Sequence, residues 1–269
     1  MEPRGLMGGF YRISEWIMRL AVINLLWVVC SLPVIFILFT ALFGLNPEDV
    51  ETYGILPLLT LPAIVVAVLT PFLVFPATAA MFTVARKWVT GEADVPLFKT
   101  FFRGYKENYK QSMIGGILYT VLFALLVVNF FFYREEFSVI SYIFLAFLVL
   151  VAASLFNFFS MLVHYHMKTF QLIKNALLIT IGKPFRSLSN IIMIALVIVI
   201  SWNFMKGFMF MFFTGSIIAF VSFWNFNIIY MKLQEQAEKM KQSEEEAAEE
   251  AAEMDREELV KDDYKDSNK

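Results

Sequence analysis

Few side chains in this sequence could do chemistry, and their spacing works against it. The only two histidines, His164 and His166, are two residues apart. On a helix that spacing points them about 200° from each other, unlike the i,i+3 or i,i+4 pairs that let two side chains grip one metal ion. The single cysteine, Cys30, rules out an internal disulfide or a cysteine-based metal cluster. It lies between Trp27-Val28-Val29 and Leu32-Pro33, which suits a small membrane-buried hydrophobe. No Gly-rich phosphate-binding loop is present, so nucleotide hydrolysis is not encoded. No catalytic residue, cofactor site or metal site is expected, and the chain is expected not to be an enzyme.

The notable polar groups inside apolar runs are asparagines: Asn24, Asn129, Asn157 and Asn225, with Asn203 and Asn227 beside them. Amides in membrane helices commonly hydrogen-bond neighbouring helices. They could also line a path for a small neutral solute. Both readings stay open at this point.

The elements that carry these residues follow from composition. The chain is 59% hydrophobic and 17% charged, against about 45–50% and about 25% in soluble domains, so lipid rather than water is its main solvent. A helix needs about 20 apolar residues to cross roughly 30 Å of hydrocarbon. Charge-free runs of that length predict an all-α, polytopic membrane protein with about six spans in three hairpins, near 21–43, 62–85, 111–133, 141–166, 187–205 and 208–231. Pro57, Pro62, Pro71 and Pro76 suggest an irregular or kinked start to the second span. Arg134-Glu135-Glu136-Phe137 makes the tight turn of the middle hairpin, and Lys206-Gly207 lies near the turn of the last. No Asp, Glu, Lys or Arg falls centrally in any of these spans. A proton-coupled transporter would ordinarily need a membrane carboxylate, and an intramembrane hydrolase a nucleophile with a positioned base; the sequence supplies neither convincingly.

Charge placement supports this count. With the N-terminus inside, the inner segments hold 20 Lys and Arg, while the outer turns hold Arg134 and Lys206 only, the asymmetry that marks cytoplasmic loops. The expected location is the cell membrane, with both termini cytoplasmic. The arginines before the first apolar run resemble a secretory signal, but the charge-free run from Leu20 to Pro47 exceeds the usual ~7–15-residue core, so a retained anchor is expected.

Two inner segments are amphipathic. Phe98, Phe101, Phe102, Tyr105 and Tyr109 recur at i, i+3, i+4, i+7 and i+11, with Lys99, Arg103, Lys106 and Lys110 beside or opposite and a helix start at Asp94 and Pro96. Phe98, Phe101, Phe102, Arg103, Tyr105, Lys106 and Tyr109 therefore form a candidate lipid or partner interface. Phe170, Ile173, Leu177 and Ile181 repeat the pattern, stopped by Gly182-Lys183-Pro184. Both are expected as cytoplasmic interface helices resting on the bilayer. The tail, residues 232–269, holds 7 basic and 14 acidic residues and is expected as a solvated helix that frays near Lys261. Its acidity argues against nucleic acid as a partner. Phe156-Asn157-Phe158 and Trp224-Asn225-Phe226 hold similar places in successive hairpins and hint at a helical repeat.

Three stretches carry a family likeness: Asn24-Leu25-Leu26-Trp27-Val28-Val29-Cys30-Ser31-Leu32-Pro33, Pro76-Ala77-Thr78-Ala79-Ala80-Met81, and Phe98-Lys99-Thr100-Phe101-Phe102-Arg103-Gly104-Tyr105-Lys106-Glu107-Asn108. Through them the chain resembles the YesL-type integral membrane proteins of Bacillus and related Firmicutes, a family without a defined biochemical activity. The likeness runs from about residue 10 to 230, with a longer Ile35–Phe72 segment and an additional acidic tail. It implies a role around binding-protein-dependent carbohydrate uptake, with a sugar ABC transporter component as a possible partner. The cytoplasmic Glu-Ala-Ala motif of a permease subunit is missing from both inner loops, so an accessory role is expected. The alternative is a passive channel or facilitator for a small neutral solute such as a sugar or polyol.

Overall fold

A computed structural model describes residues 6–135, 137–203 and 208–266. It divides into two units, residues 1–226 and 227–269. Every regular element among the described residues is helical: α1 Leu6–Cys30, α2 Leu32–Phe43, α3 Pro47–Tyr53, α4 Ile55–Val89, α5 Leu97–Arg134, α6 Ser138–His164, α7 Thr169–Gly182, α8 Pro184–Asn203, a π-helical turn Phe210–Thr214, and α9 Gly215–Asp266. Six helices are long and apolar enough to cross a membrane: Gly9–Cys30, Ile55–Val89, Leu97–Arg134, Val139–His164, Pro184–Asn203 and Phe210–Glu250. The protein is an all-α, multi-pass membrane protein.

The first expected span, 21–43, is divided. Proline has no N–H, and its ring crowds the carbonyl four residues back. Pro33 accordingly coincides with a break at Ser31, between α1 and α2. The qualifying apolar helix starts at Gly9 and takes in Arg12, Glu15 and Arg19. α2 is too short to span and forms with α3 a pair bent by 81°.

Of the irregular or kinked start expected for the second span, the irregular form is absent, because the helix already begins at Ile55. α4 runs unbroken through Pro62, Pro71 and Pro76, leaving the carbonyls of Leu58, Ala67 and Phe72 without their usual i+4 donors. The interface helix expected at 98–110 is not a separate element either. It is the first part of α5, continuous with the third span, and begins directly after Pro96. The turn at 134–138 lies where expected. Met205, Lys206 and Gly207 lie outside the described residues.

Packing centres on α4. From Phe75 to Ala85 every residue except Thr78 is buried, so this stretch has no lipid-facing side. α1 runs antiparallel to it: Trp16 meets Trp88 edge-on at 5.4 Å, and Trp27 Nε1 donates to Thr78 Oγ1 at 3.0 Å. α5 lies against α4 on glycines. A Cβ at Gly104 would fall 2.6 Å from Thr83 Oγ1, and one at Gly116 would fall 2.9 Å from Pro71 Cα. On the next interface, a Cβ at Gly115 would fall 2.3 Å from Phe158 Cζ of α6. Small residues let helix backbones approach this closely where lipid gives no hydrophobic drive. The closest association is thus between α4 and α5, across the loop joining two expected hairpins, rather than within a hairpin.

In the second unit, the helix is exposed from Met231 through Glu250 and carries an i,i+4 pair, Lys239 Nζ to Glu235 Oε1 at 2.7 Å. It continues to Asp266, past the expected fraying point at Lys261.

Candidate functional site

The three stretches that carry the family likeness converge around α4. Pro76–Met81 forms the enclosed centre, Trp27 reaches it from α1, and Asn108 Nδ2 of α5 donates to Thr83 Oγ1 at 3.4 Å and to the Gly104 carbonyl at 3.0 Å. From α1, Asn24 is fully buried and aimed at the π-helical turn. Its Nδ2 donates to the carbonyls of Phe210 (3.0 Å) and Met211 (2.7 Å), and its Oδ1 accepts from the Ser216 N–H (2.9 Å). A π-turn shifts the backbone ladder and leaves groups without their normal partners. One side-chain amide, with two donors and an acceptor, supplies them here. Thr214 Oγ1 completes the turn by donating to Ser201 Oγ of α8 at 2.7 Å.

The other asparagines separate into two kinds. Asn157 Nδ2 of α6 donates to Thr180 Oγ1 of α7 at 2.9 Å, and Asn225 Nδ2 of α9 donates to the Arg186 carbonyl of α8 at 3.1 Å. Both are buried and bind one helix to another, one of the two readings open to amides in membrane helices. Asn129 is half-buried, and its Nδ2 donates to the Leu125 carbonyl of its own helix at 2.7 Å. Asn203 does the same with Val199. Helical spacing shows that an amide is in a span but not which neighbour faces it.

A charged cluster escaped the sequence reading. Arg19 is only 7% exposed, and its guanidinium donates to Glu15, to Asp94 and to the Ala93 carbonyl (2.6 Å) while lying 5.7 Å from the Trp16 ring centroid. It fastens α1 to the loop between α4 and α5. Asp94, expected at a helix start, serves as its partner. The same end of the bundle holds Arg86 Nη1 donating to the Val163 carbonyl (2.5 Å) and Gln111 Nε2 donating to the Met167 carbonyl (2.8 Å). Lys87 Nζ pairs with Glu92 (2.5 Å) and holds that carboxyl below its ordinary range. His164 closes α6, half-buried beside Tyr165 and Phe226, with ring centroids at 4.9 and 5.8 Å, while His166 is exposed. Among the described residues no three or more His, Cys, Asp or Glu are grouped to hold a metal ion.

The aromatic stripe of α5 is split by the fold. Phe101 is completely buried, Tyr105 and Tyr109 are half-buried with rings 5.7 Å apart, and Phe98 and Phe102 are exposed at 61% and 51%. Arg103 and Lys106 are exposed. The face that packs is instead Thr100, Phe101, Gly104, Ser112 and Gly115, mostly small and polar. The second stripe shifts likewise: Leu172, Ala176 and Thr180 of α7 are buried, while Phe170 and Ile181 are exposed. An aromatic face need not be the packed face when glycines next to it permit closer contact.

A cavity of about 380 Å³ lies between α4 and α5, above the Gly116–Pro71 contact, lined by Ile64, Ala67, Val68, Phe72, Val121 and Ala124 among others. Apart from Thr120 its lining residues are apolar, which suits hydrocarbon better than a sugar.

Comparison with known proteins adds a family. A family model described as "Protein of unknown function, DUF624" matches residues 20–130. The chain is similar to three Bacillus subtilis proteins: Uncharacterized protein YteU, 31% identical over 185 residues covering 68% of each chain; Uncharacterized protein YesL, 34% over 110 residues, 41% of this chain and 36% of that one; and Uncharacterized protein YesV, 32% over 114 residues, 40% and 54% respectively. No solved structure matches.

Proposed function

This chain belongs to the DUF624 family of YesL-like membrane proteins, and from that premise we propose that it is a non-enzymatic accessory protein of carbohydrate uptake, seated in the cell membrane with both termini in the cytoplasm. The observation that carries this reading is how the bundle uses its interior polar groups. Asn24, Asn157, Asn225 and Arg19 each bond one segment to another, so the inside works as a scaffold. The carbohydrate link rests on the resemblance given above, and the excess of Lys and Arg in the inner segments supports the orientation.

The same use of the amides weighs against the facilitator alternative, because the amide N–H groups of Asn24, Asn157 and Asn225 are engaged between segments and the α4–α5 cavity exposes an apolar lining. Affinity purification of the tagged full chain from native membranes of sugar-grown cells, followed by mass spectrometry, tests the proposal. Subunits of a sugar importer should co-purify. Recovery without any transporter component counts against it, and sugar or polyol flux through the purified protein in liposomes would replace it with the facilitator.

A further inference from the structure

Lys99, Arg103, Lys106 and Lys110 of α5 recur at i, i+4, i+7 and i+11, which places all four on one helix face. That face is opposite the one packed through Gly104 and Ser112, and all four side chains are exposed. None forms a salt bridge among the described residues. The neighbouring acids are engaged elsewhere, Glu92 with Lys87 and Asp94 with Arg19, while Glu107 projects to one flank of the line. Phe98 and Phe102 stand exposed on the other flank.

The depth of this line follows from contacts already described. Gly104 against Thr83 and Gly116 against Pro71 put residues 99–110 level with about 77–88 of α4, and the Trp16–Trp88 and Trp27–Thr78 contacts put those level with about 16–28 of α1. At or near this level α1 still exposes Ile17, Met18 and Val29, side chains suited to lipid. On the other side, Gln111 meets the Met167 carbonyl, where α6 has just ended. A level at which one helix is still apolar outside and another has left its span is the headgroup boundary. Cations held there by a continuous helix reach toward phosphate along their aliphatic stems.

We propose that Lys99, Arg103, Lys106 and Lys110 form a binding site for anionic phospholipid headgroups, with Phe98 and Phe102 inserted beside the acyl chains. The site is independent of any transport partner, so its test and that of the accessory role can fail separately. Opposite charge selects an anionic over a zwitterionic headgroup, and an acidic protein segment is the competing occupant of the same chemistry.

The test is native mass spectrometry of the detergent-purified full chain with phosphatidylglycerol and phosphatidylcholine added in equal amounts. Wild type should retain phosphatidylglycerol with about a tenfold preference, falling as salt is raised. The combined Lys99→Gln, Arg103→Gln, Lys106→Gln and Lys110→Gln variant should retain both lipids equally, and Lys239→Gln with Lys241→Gln on the exposed tail helix should keep the preference. Should the fourfold variant fail to fold, Arg103→Gln and Lys106→Gln singly should each lower it. Equal retention by wild type, a preference untouched by these variants, or capture of a polyglutamate peptide in place of phosphatidylglycerol would each overturn the assignment.

Discussion

Between α4, α5 and α6 the helices meet on glycines, alanines and aromatic rings, with Phe75 and Phe82 both within 5.5 Å of Phe159. Between α8 and the part of α9 up to Phe226 they meet across oxygen atoms. Ser187 Oγ and Asn190 Oδ1 on α8, with Ser222 Oγ and Asn225 Oδ1 on α9, are buried without a hydrogen-bond partner among the described residues. The Asn225 Nδ2 bond to the Arg186 carbonyl ties the two helices together at this level. The second region also holds the π-helical turn, which depends on Asn24 of α1. Small-residue packing gives one stable arrangement, whereas buried oxygens without partners raise the energy of the arrangement they are in. The contrast sets the α4–α5–α6 group, joined by close packing of small residues and rings, against the last two spans, joined through polar side chains.

The largest expected change that would sharpen this contrast is at the joint between the two regions. Asn24→Leu removes three hydrogen bonds and leaves backbone groups of the π-turn unpaired, at about 1–3 kcal/mol each. The melting temperature in detergent should fall steeply, and amide exchange over residues 210–216 should accelerate well beyond that in α4. Next comes the α4–α5–α6 group itself. Gly116→Val forces a side chain against Pro71 Cα and Phe75 and should cost about 1–3 kcal/mol, read as a lower thermal midpoint. Applied to the oxygen-lined interface, the opposite kind of change should behave differently. Asn190→Leu combined with Ser222→Ala should leave stability unchanged or raised within about 1 kcal/mol, because groups without partners are replaced by apolar ones. A loss as large as that of Gly116→Val would break the comparison.

The smallest effect concerns pH. Lys87 holds the Glu92 carboxyl below its ordinary range, so the folded group ionises more readily than the unfolded one. Its contribution is present above the unfolded value and is lost as pH falls through the lowered folded one. Glu92→Gln should therefore narrow the difference in melting temperature between neutral and strongly acidic buffer, by a slight margin because Glu92 is exposed.

Much of the architecture was legible along the chain. Charge-free runs revealed the number of apolar helices, and Arg134 and Lys183-Pro184 marked two of the turns. The start of α1 was not legible, because Arg19 looks too costly for an apolar helix until its partner Asp94, 75 residues away, is seen beside it. Nor was the packing face of α5: periodicity aligned Phe98, Phe101 and Phe102, but only the closeness of Thr83 to Gly104 decides that Phe101 is enclosed and Phe102 is not. The same limit applies to Asn129, whose amide turns to Leu125 of its own helix. Local pattern fixes what an element is; which side of it meets protein depends on residues far along the chain.

The enclosed stretch of α4 bears on how the protein is made. Membrane helices emerge in chain order, and residues 75–85, one proline, four alanines, two threonines, two phenylalanines, a methionine and a valine, have no flank facing lipid once the bundle is complete. When α4 first enters the bilayer, α1 is its earlier-made companion among the spans, and the covers supplied by α5 and α6 are still to come. Enclosure of this stretch is therefore a late tertiary event, complete only when the fourth apolar helix packs against it.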